Sequence, residues 1–154
     1  MNPKPVLILG IGNILLRDEG VGVHVVGALE KMRLPDCVEV CDGATAGVDL
    51  LDVLAERRTV IIVDAVDAGR PPGVVVRFTG KDVVTGRGRD VSLHDIGMAE
   101  VLRMTRLLNC APHEVIVFGI QPESVEPGLE LTPTAAVAAT TAVDLILEEV
   151  GRMF

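Results

Sequence analysis

Apolar and polar positions follow two different patterns along this chain. Short continuous runs of aliphatic and β-branched residues predict buried strands of the kind found in parallel sheets. Longer segments with apolar residues three or four positions apart predict helices that cover such a sheet. The predicted strands are Val6–Leu9, Val38–Cys41, Thr59–Val63, Gly73–Phe78 and Glu114–Ile120.

Helical segments fall between these runs. Thr132 and Pro133 are typical of the N-cap and first position of the last helix, which we expect to end near Val150. Residues 79–94 are polar and contain glycines, so a long loop is expected there. The other predicted helices are Asp18–Arg33, Ala46–Arg57 and Asp95–Leu108.

The order of these elements predicts an α/β fold, a three-layer sandwich with a mixed, mostly parallel five-stranded sheet between helices. The fourth strand follows the third through a turn at Pro71–Gly73 instead of a helix, so it is expected to be antiparallel to it. The 154 residues suit one domain spanning 1–154, without internal repeats or linkers.

The amino-acid composition and net charge argue against several classes of function. The net charge is −8 and Phe is the sole aromatic residue type, which argues against a nucleic-acid partner. No apolar run is long enough for a membrane span or a signal sequence, so we expect a cytoplasmic protein without a membrane partner. Cys37, Cys41 and Cys110 lack zinc-type spacing and are expected to be structural thiols.

The candidate functional residues lie where the predicted strands end, which is where α/β folds place their binding and catalytic sites. Glu19, Asp64 and His94 offer two carboxylates and an imidazole, a ligand set that suits a divalent transition-metal ion with open positions. Two plainer interpretations stay open. Asp18 and Glu19 also fit ordinary acidic residues in the first turn of a helix, and His94 also fits a loop residue beside a helix cap.

The glycines after the first strand raise a nucleotide-binding alternative. Gly10 and Gly12 match the beginning of a dinucleotide fingerprint, but Leu15 occupies the place of its third glycine. The acids at positions 18 and 19 would also repel a pyrophosphate. The two glycines are therefore interpreted as residues that allow a tight turn.

Five motifs together resemble those of the nickel–iron hydrogenase maturation endopeptidases. The resemblance covers about residues 5–150, with Ala44 where that family commonly has a second glycine. Each motif alone is modest, but their order and spacing are specific. They are GIGNILLRDEGVGV at 10–23, DGATAG at 42–47, DAVD at 64–67, SLHDIG at 92–97, and GIQPES at 119–124 with LTP at 131–133.

This resemblance implies an enzyme that cuts a C-terminal extension from the large-subunit precursor of a nickel–iron hydrogenase after nickel insertion. The metal-contacting residues of that family fall here on Glu19, Asp64 and His94, and Asp42 is expected to contact the substrate or support the metal ligands. The resemblance implies no permanently bound cofactor, because the nickel is supplied by the precursor. A monomer is expected, since one small domain can complete such a site.

Three alternatives remain at this level. One is a related metal-dependent or acid-type peptidase that acts on another precursor, and another is a non-catalytic nickel-binding chaperone or carrier. The third is the nucleotide-binding module. Several acids are expected at the same edge of the sheet, a placement that suits a cation-bearing substrate: Asp18, Glu19, Asp42, Asp64, Asp67 and Asp95.

Overall fold

The computed structural model describes residues 3–43, 50–85, 92–93 and 96–154. Its sheet has five strands in the order β2-β1-β3-β6-β4, and a two-residue strand, β5, pairs with β3 outside this path. The strands are β1 Val6–Gly10, β2 Val38–Asp42, β3 Thr59–Asp67, β4 Val75–Thr79, β5 Ser92–Leu93 and β6 Glu114–Ile120.

Strand directions confirm the mixed, mostly parallel five-stranded sheet. β1 is parallel to both β2 and β3, and β3 is parallel to β6. β4 is antiparallel to its neighbour, as the short turn before it predicts, but that neighbour is β6. β3 cannot pair with β4 along its main register, because β1 and β6 already occupy its two sides.

Five α-helices and one 3₁₀ turn complete the described part of the chain. The predicted first helix is divided, because Arg17–Gly20 forms the 3₁₀ turn and the α-helix begins only at Val21. The helices are α1 Val21–Glu30, α2 Leu50–Leu54, α3 Gly80–Thr85, α4 Ile96–Leu107 and α5 Pro133–Gly151.

Helix α3 lies where the sequence predicted a long loop, so that prediction was wrong for residues 80–85. Its beginning is stabilised by a reciprocal pair of hydrogen bonds. The Thr79 backbone N–H donates to Asp82 Oδ2 over 3.2 Å, and the Asp82 N–H donates to Thr79 Oγ1 over 3.4 Å. This is a capping box, which gives a short polar segment enough local stabilisation to form a helix.

The two faces of the sheet carry separate hydrophobic clusters, which confirms the three-layer arrangement. Helices α1 and α5 cover one face, with Ile8, Ile61 and Phe118 among the strand residues beneath them. Helices α2 and α4 cover the other face, where Leu7 and Ile62 lie. Alternate residues of each strand therefore face opposite helical layers.

Helix α5 begins as the sequence predicted. Thr132 is its N-cap and Pro133 its first residue, and Thr132 Oγ1 accepts a 3.2 Å hydrogen bond from the Ala135 N–H. Near its other end, the largely buried Glu149 pairs with Arg77 of β4 at 2.7 Å. No helix in the described ranges is both long and apolar enough to cross a membrane.

The glycines at the beginning of α1 are required by close packing. A Cβ atom on Gly22 would lie 2.2 Å from the Val63 carbonyl oxygen and 2.5 Å from that of Ile11. A Cβ atom on Gly12, where φ is +133°, would lie 2.0 Å from the Glu19 carbonyl oxygen. The absence of side chains at Gly12 and Gly22 thus allows the 3₁₀ turn and α1 to pack directly against the strand ends.

Replacing Gly22 with Ala is expected to lower the free energy of unfolding by about 1–3 kcal/mol, because the obstructing atoms belong to the backbone. Gly27→Ala is the matched control, since a Cβ there meets no atom within 4 Å. That control should stabilise the protein by up to about 1 kcal/mol through helix propensity. Urea unfolding followed by circular dichroism measures both, and equal stability of the two variants would contradict the packing role.

Candidate active site

Glu19 is held at the carboxyl edge of the sheet by the 3₁₀ turn. Its side chain is partly buried, and the turn packs against β3. The N–H of Glu19 donates to the Leu16 carbonyl oxygen over 3.1 Å, which closes the turn. The close approach of the Glu19 carbonyl to Gly12 then fixes this residue above the end of β1.

Asp64 lies in the second half of β3 and is fully buried. It is paired with Gly119 of β6 in the parallel register. Strand alternation puts Asp64 on the same face as Ile62, which packs among α2 and α4. The preceding residue, Val63, is the one whose carbonyl oxygen contacts the first turn of α1. Glu19 and Asp64 therefore flank the same strand ends.

Asp42 ends β2 and is exposed at the same edge. It pairs with Gly10, which in turn pairs with Val63, so two strand spacings, about 10 Å, separate Asp42 from β3. His94 lies outside the described residues. Among those that are described, no group of three or more His, Cys, Asp or Glu side chains is arranged to hold a metal ion.

An open cleft of about 460 Å³ lies beside Glu19. Ala65, the residue after Asp64, contributes to its wall, as do polar side chains from the ends of β3 and β6. The residues around it are Glu19, Ala65, Asp67, Gln121, Pro122, Glu123 and Val125.

The Asp18 carboxylate joins the two loops of this cleft through four hydrogen bonds. The loops are the β1–α1 loop (residues 11–20) and the β6–α5 loop (residues 121–132). Asp18 Oδ2 accepts hydrogen bonds from the N–H groups of Glu123 and Ser124 at 3.0 and 3.1 Å. Thr132 donates its N–H to Oδ1 at 2.8 Å and its hydroxyl to Oδ2 at 2.7 Å.

The role of Asp18 differs from both sequence-based expectations. It is fully buried, so it is neither a solvent-exposed first-turn acid nor part of an acidic edge open to a cation. Burial alone would raise its pKa, but the hydrogen bonds from Thr132, Glu123 and Ser124 outweigh it and hold the pKa of the Asp18 carboxyl below its usual value. Asp18 is therefore a buried, ionised anchor.

Gln121 fixes the segment that follows β3. Its Oε1 accepts the N–H of Ala68 at 2.8 Å and that of Arg70 at 3.2 Å. Its Nε2 donates to Asp67 Oδ1 over 3.3 Å. The same oxygen of Asp67 accepts the Gly69 N–H at 3.2 Å. The GIQPES segment thus shapes one wall of the cleft through its amide side chain.

The Cys41 thiol is poorly suited to act as a nucleophile. Cys37, Cys41 and Cys110 are free thiols. Burial, together with the negative charges of Glu39 and Asp42, raises the pKa of the Cys41 thiol. A raised pKa keeps the sulfur protonated and poorly nucleophilic, which agrees with the structural role expected for it.

Sequence reasoning did not find the anchoring role of Asp18 or the wall-forming role of Gln121. Asp18 and Thr132 are 114 positions apart, and no local pattern links an acid to a distant helix cap. The Thr132–Pro133 pair in the sequence indicates where a helix begins. It does not indicate that Thr132 also donates hydrogen bonds to Asp18.

The chain matches known proteins over most of its length. A family model described as "HycI: Hydrogenase maturation protease" matches residues 23–149. The chain is 40% identical over 144 residues to the hydrogenase 2 maturation protease of Escherichia coli (strain K12), covering 92% of this chain and 88% of that protein. It is 36% identical to the hydrogenase expression/formation protein HupD of Thiocapsa roseopersicina, covering 96% and 68%.

A solved structure shows the same fold. The chain superposes on the hydrogenase maturating endopeptidase HybD from E. coli with a TM-score of 0.88 and 39% sequence identity. The match covers 96% of this chain and 93% of that one. Sequence and fold therefore point to the same family over nearly the whole chain.

Proposed function

Since this chain belongs to the hydrogenase maturation protease family, we propose that it removes a C-terminal extension from the nickel-loaded large-subunit precursor of a nickel–iron hydrogenase. One observation carries the proposal beyond family membership. The 3₁₀ turn packs against β3 near Asp64, and Glu19 and Ala65, the residue after Asp64, line an open cleft at this edge of the sheet.

In this proposal Glu19, Asp64 and His94 ligate the nickel ion that the precursor carries. Carboxylates and imidazole are suitable ligands for such an ion, and three protein ligands leave coordination positions for groups of the precursor. The enzyme thereby recognises a loaded precursor and needs no metal or other cofactor of its own. Asp42, exposed at the end of β2, contacts the substrate in this arrangement.

The cleavage step is the hydrolysis of one peptide bond. A water molecule adds to the scissile carbonyl carbon, the C–N bond breaks, and the leaving amine takes up a proton. A carboxylate at the site is suited to accept the proton of the attacking water. We assign this role to the Glu19 carboxylate, because Glu19 lines the open cleft.

The proposal further includes a monomer acting in the cytoplasm on a protein substrate. Glu19, Asp42 and Asp64 come from the β1–α1 loop, β2 and β3 of one chain, so the edge needs no second copy to form. The acidic net charge of −8 supports a partner other than nucleic acid.

The direct test incubates the protein with nickel-loaded and nickel-free forms of a large-subunit precursor and measures intact masses. We expect the loss of a C-terminal fragment from the loaded precursor alone, because the ion completes the recognition site. Glu19→Gln should reduce that cleavage by about 10²-fold or more, whereas Glu148→Gln on the surface of α5 should leave it unchanged.

Equal cleavage of nickel-free precursor would contradict the recognition role of the metal. Tight, stoichiometric nickel binding by the isolated protein without any cleavage would instead support a nickel carrier. Isothermal titration with nickel ions separates these outcomes, since the proposal predicts weak binding in the absence of precursor.

A further inference from the structure

The carboxylate of Asp67 is held at the wall of the cleft by contacts from three parts of the fold. Asp67 ends β3, and its backbone pairs with Ser92 of β5 in antiparallel register. Its Oδ1 accepts the side-chain amide of Gln121 over 3.3 Å and the Gly69 N–H over 3.2 Å. An exposed side chain ordinarily changes rotamer within nanoseconds, so two donors on the same oxygen give this carboxylate a defined orientation.

The other oxygen of Asp67, Oδ2, is available to a ligand. It accepts no hydrogen bond from the part of the chain that the structure describes, and each oxygen of an ionised carboxylate is an acceptor. Strand alternation places Asp67 on the same face of β3 as Ala65, and both line the cleft together with Glu19. Asp67 thus offers an oriented acceptor to a molecule that enters the cleft beside Glu19.

Gln121 determines which oxygen of Asp67 is left for a ligand. Its Oε1 accepts the N–H groups of Ala68 and Arg70. Only the oxygen of an amide can accept these donors, so the amide has one orientation and its Nε2 is left to donate to Asp67. Gln121 therefore joins the Asp67 carboxylate to the end of β6 and to the chain between β3 and β4.

We propose that Asp67 Oδ2 accepts a hydrogen bond from an N–H group of the precursor beside its cleavage junction, and that Gln121 positions it for this contact. The inference rests on the proposed function, in which the scissile peptide bond lies next to Glu19. Because Glu19 and Asp67 line the same cleft, a polypeptide bound there passes the Asp67 carboxylate. Its N–H groups lose water in the cleft and need protein acceptors.

Asp67→Asn tests the free oxygen without disturbing the anchored one. The asparagine oxygen still accepts from Gln121 and Gly69, so the NH₂ group takes the place of Oδ2 and presents a donor where the precursor needs an acceptor. We expect the KM for nickel-loaded precursor to rise about tenfold with kcat retained, since one hydrogen bond is lost throughout the reaction. Asp36→Asn, which changes an exposed acid before β2, is the matched control and should keep the wild-type KM.

Gln121→Glu tests the positioning. The glutamate keeps an oxygen for the N–H groups of Ala68 and Arg70, but its second oxygen replaces the donor to Asp67 with a negative charge. Repulsion between the two carboxylates should turn Asp67 away from its position, and the KM should again rise about tenfold.

The double variant Asp67→Asn/Gln121→Glu distinguishes positioning from a general structural role. In this variant the asparagine NH₂ donates to the new carboxylate, and the asparagine oxygen is left to accept from the precursor. The KM should therefore return to within about threefold of the wild type, although each single substitution raises it. A wild-type KM in either single variant, a fall in kcat alone, or additive effects in the double variant would overturn the inference.

Ionic strength identifies the kind of N–H group. The charge of Asp67 attracts a cationic side chain, and about 1 M salt screens that attraction, whereas a hydrogen bond from a peptide N–H depends on it less. If the KM difference between the wild type and Asp67→Asn collapses at high salt, the donor is a cationic side chain of the precursor. If the difference persists, the donor is a peptide N–H.

Biolayer interferometry separates this inference from the proposed function. Immobilised proteins are titrated with nickel-loaded precursor, and only the two single variants should bind about tenfold more weakly than the wild type. Because this readout needs no cleavage, an inactive wild type with the same pattern among its variants contradicts the proposed function and supports the Asp67 contact. Equal binding by all variants contradicts the contact even where cleavage occurs, and a wild type that binds no precursor contradicts both.

Discussion

Asp64→Asn is expected to reduce precursor processing by about 10²–10⁴-fold while the protein stays folded. The substitution keeps the size of the side chain and replaces a carboxylate oxygen with an amide nitrogen. In the proposed site this removes a negatively charged ligand to nickel and weakens the contribution of the carboxylates to hydrolysis. The measurement is the initial rate of product formation from nickel-loaded precursor by intact mass.

The burial of Asp64 makes a stability measurement necessary beside the rate. The side chain lies within a strand that is buried at eight of its nine positions, so a general loss of structure could also lower activity. Thermal unfolding of Asp64→Asn should therefore match the wild type within a few degrees. Asp144→Asn, exposed on α5, is the control for charge removal, and it should process precursor at the wild-type rate.

Wild-type cleavage by Asp64→Asn would remove this residue from the proposed site. Lost cleavage accompanied by a large fall in thermal stability would assign Asp64 a structural role instead. Retained stability with lost cleavage is the result that the proposed chemistry requires.

Asp18→Asn is expected to lower the free energy of unfolding by about 2–5 kcal/mol, the largest stability effect proposed for this protein, because buried donors lose their charged acceptor. The carboxylate accepts three backbone N–H groups and one hydroxyl in a buried environment. An amide of the same shape turns an NH₂ group toward some of those donors and leaves them without an acceptor. Urea unfolding at neutral pH measures the difference.

The pH dependence of this effect has a definite sign. The pKa of Asp18 is lower in the folded protein than its ordinary value, so the folded state favours the ionised form. Its contribution is complete above the pKa of the unfolded chain, about 3.9 for aspartate, and is lost as the pH falls through the folded pKa. The stability difference between wild type and Asp18→Asn should therefore be constant above about pH 5 and should narrow below about pH 4.

Asp52→Asn is the control for this series, because Asp52 is exposed on α2. Its stability should follow the wild type at every pH. A wild-type stability for Asp18→Asn, or a difference that widens toward low pH, would show that the four hydrogen bonds do not hold an ionised carboxylate. Precursor cleavage by Asp18→Asn should also fall, since the anchor positions both loops of the cleft.

Much of the architecture could be predicted from local patterns. Runs such as Thr59–Val63 are strand-forming wherever they are buried, because β-branched side chains suit an extended backbone. The hydrogen bond that caps α5 likewise joins residues within one helical turn, Thr132 and Ala135. The polarity and glycines of residues 79–94 favour a loop, whereas the Thr79–Asp82 capping pair, which is equally local, favours the α3 helix.

The neighbour of β4 and the anchoring role of Asp18 could not be predicted in this way. The short connection between β3 and β4 indicated the direction of β4, but β6, which is later in the sequence, takes the place beside β3. The residues next to Asp18 in the sequence indicate only a helix beginning, whereas its partners lie in the β6–α5 loop more than a hundred residues away.

By itself, the sequence of this protein determined which segments become strands and helices and, through its motifs, which family the chain resembles. Those properties depend on side-chain size, branching and polarity within a few residues. The tertiary structure alone decided that Asp18 is a buried anchor and that Gly22 must lack a side chain. Each of these properties depends on atoms that become neighbours only after the chain has folded.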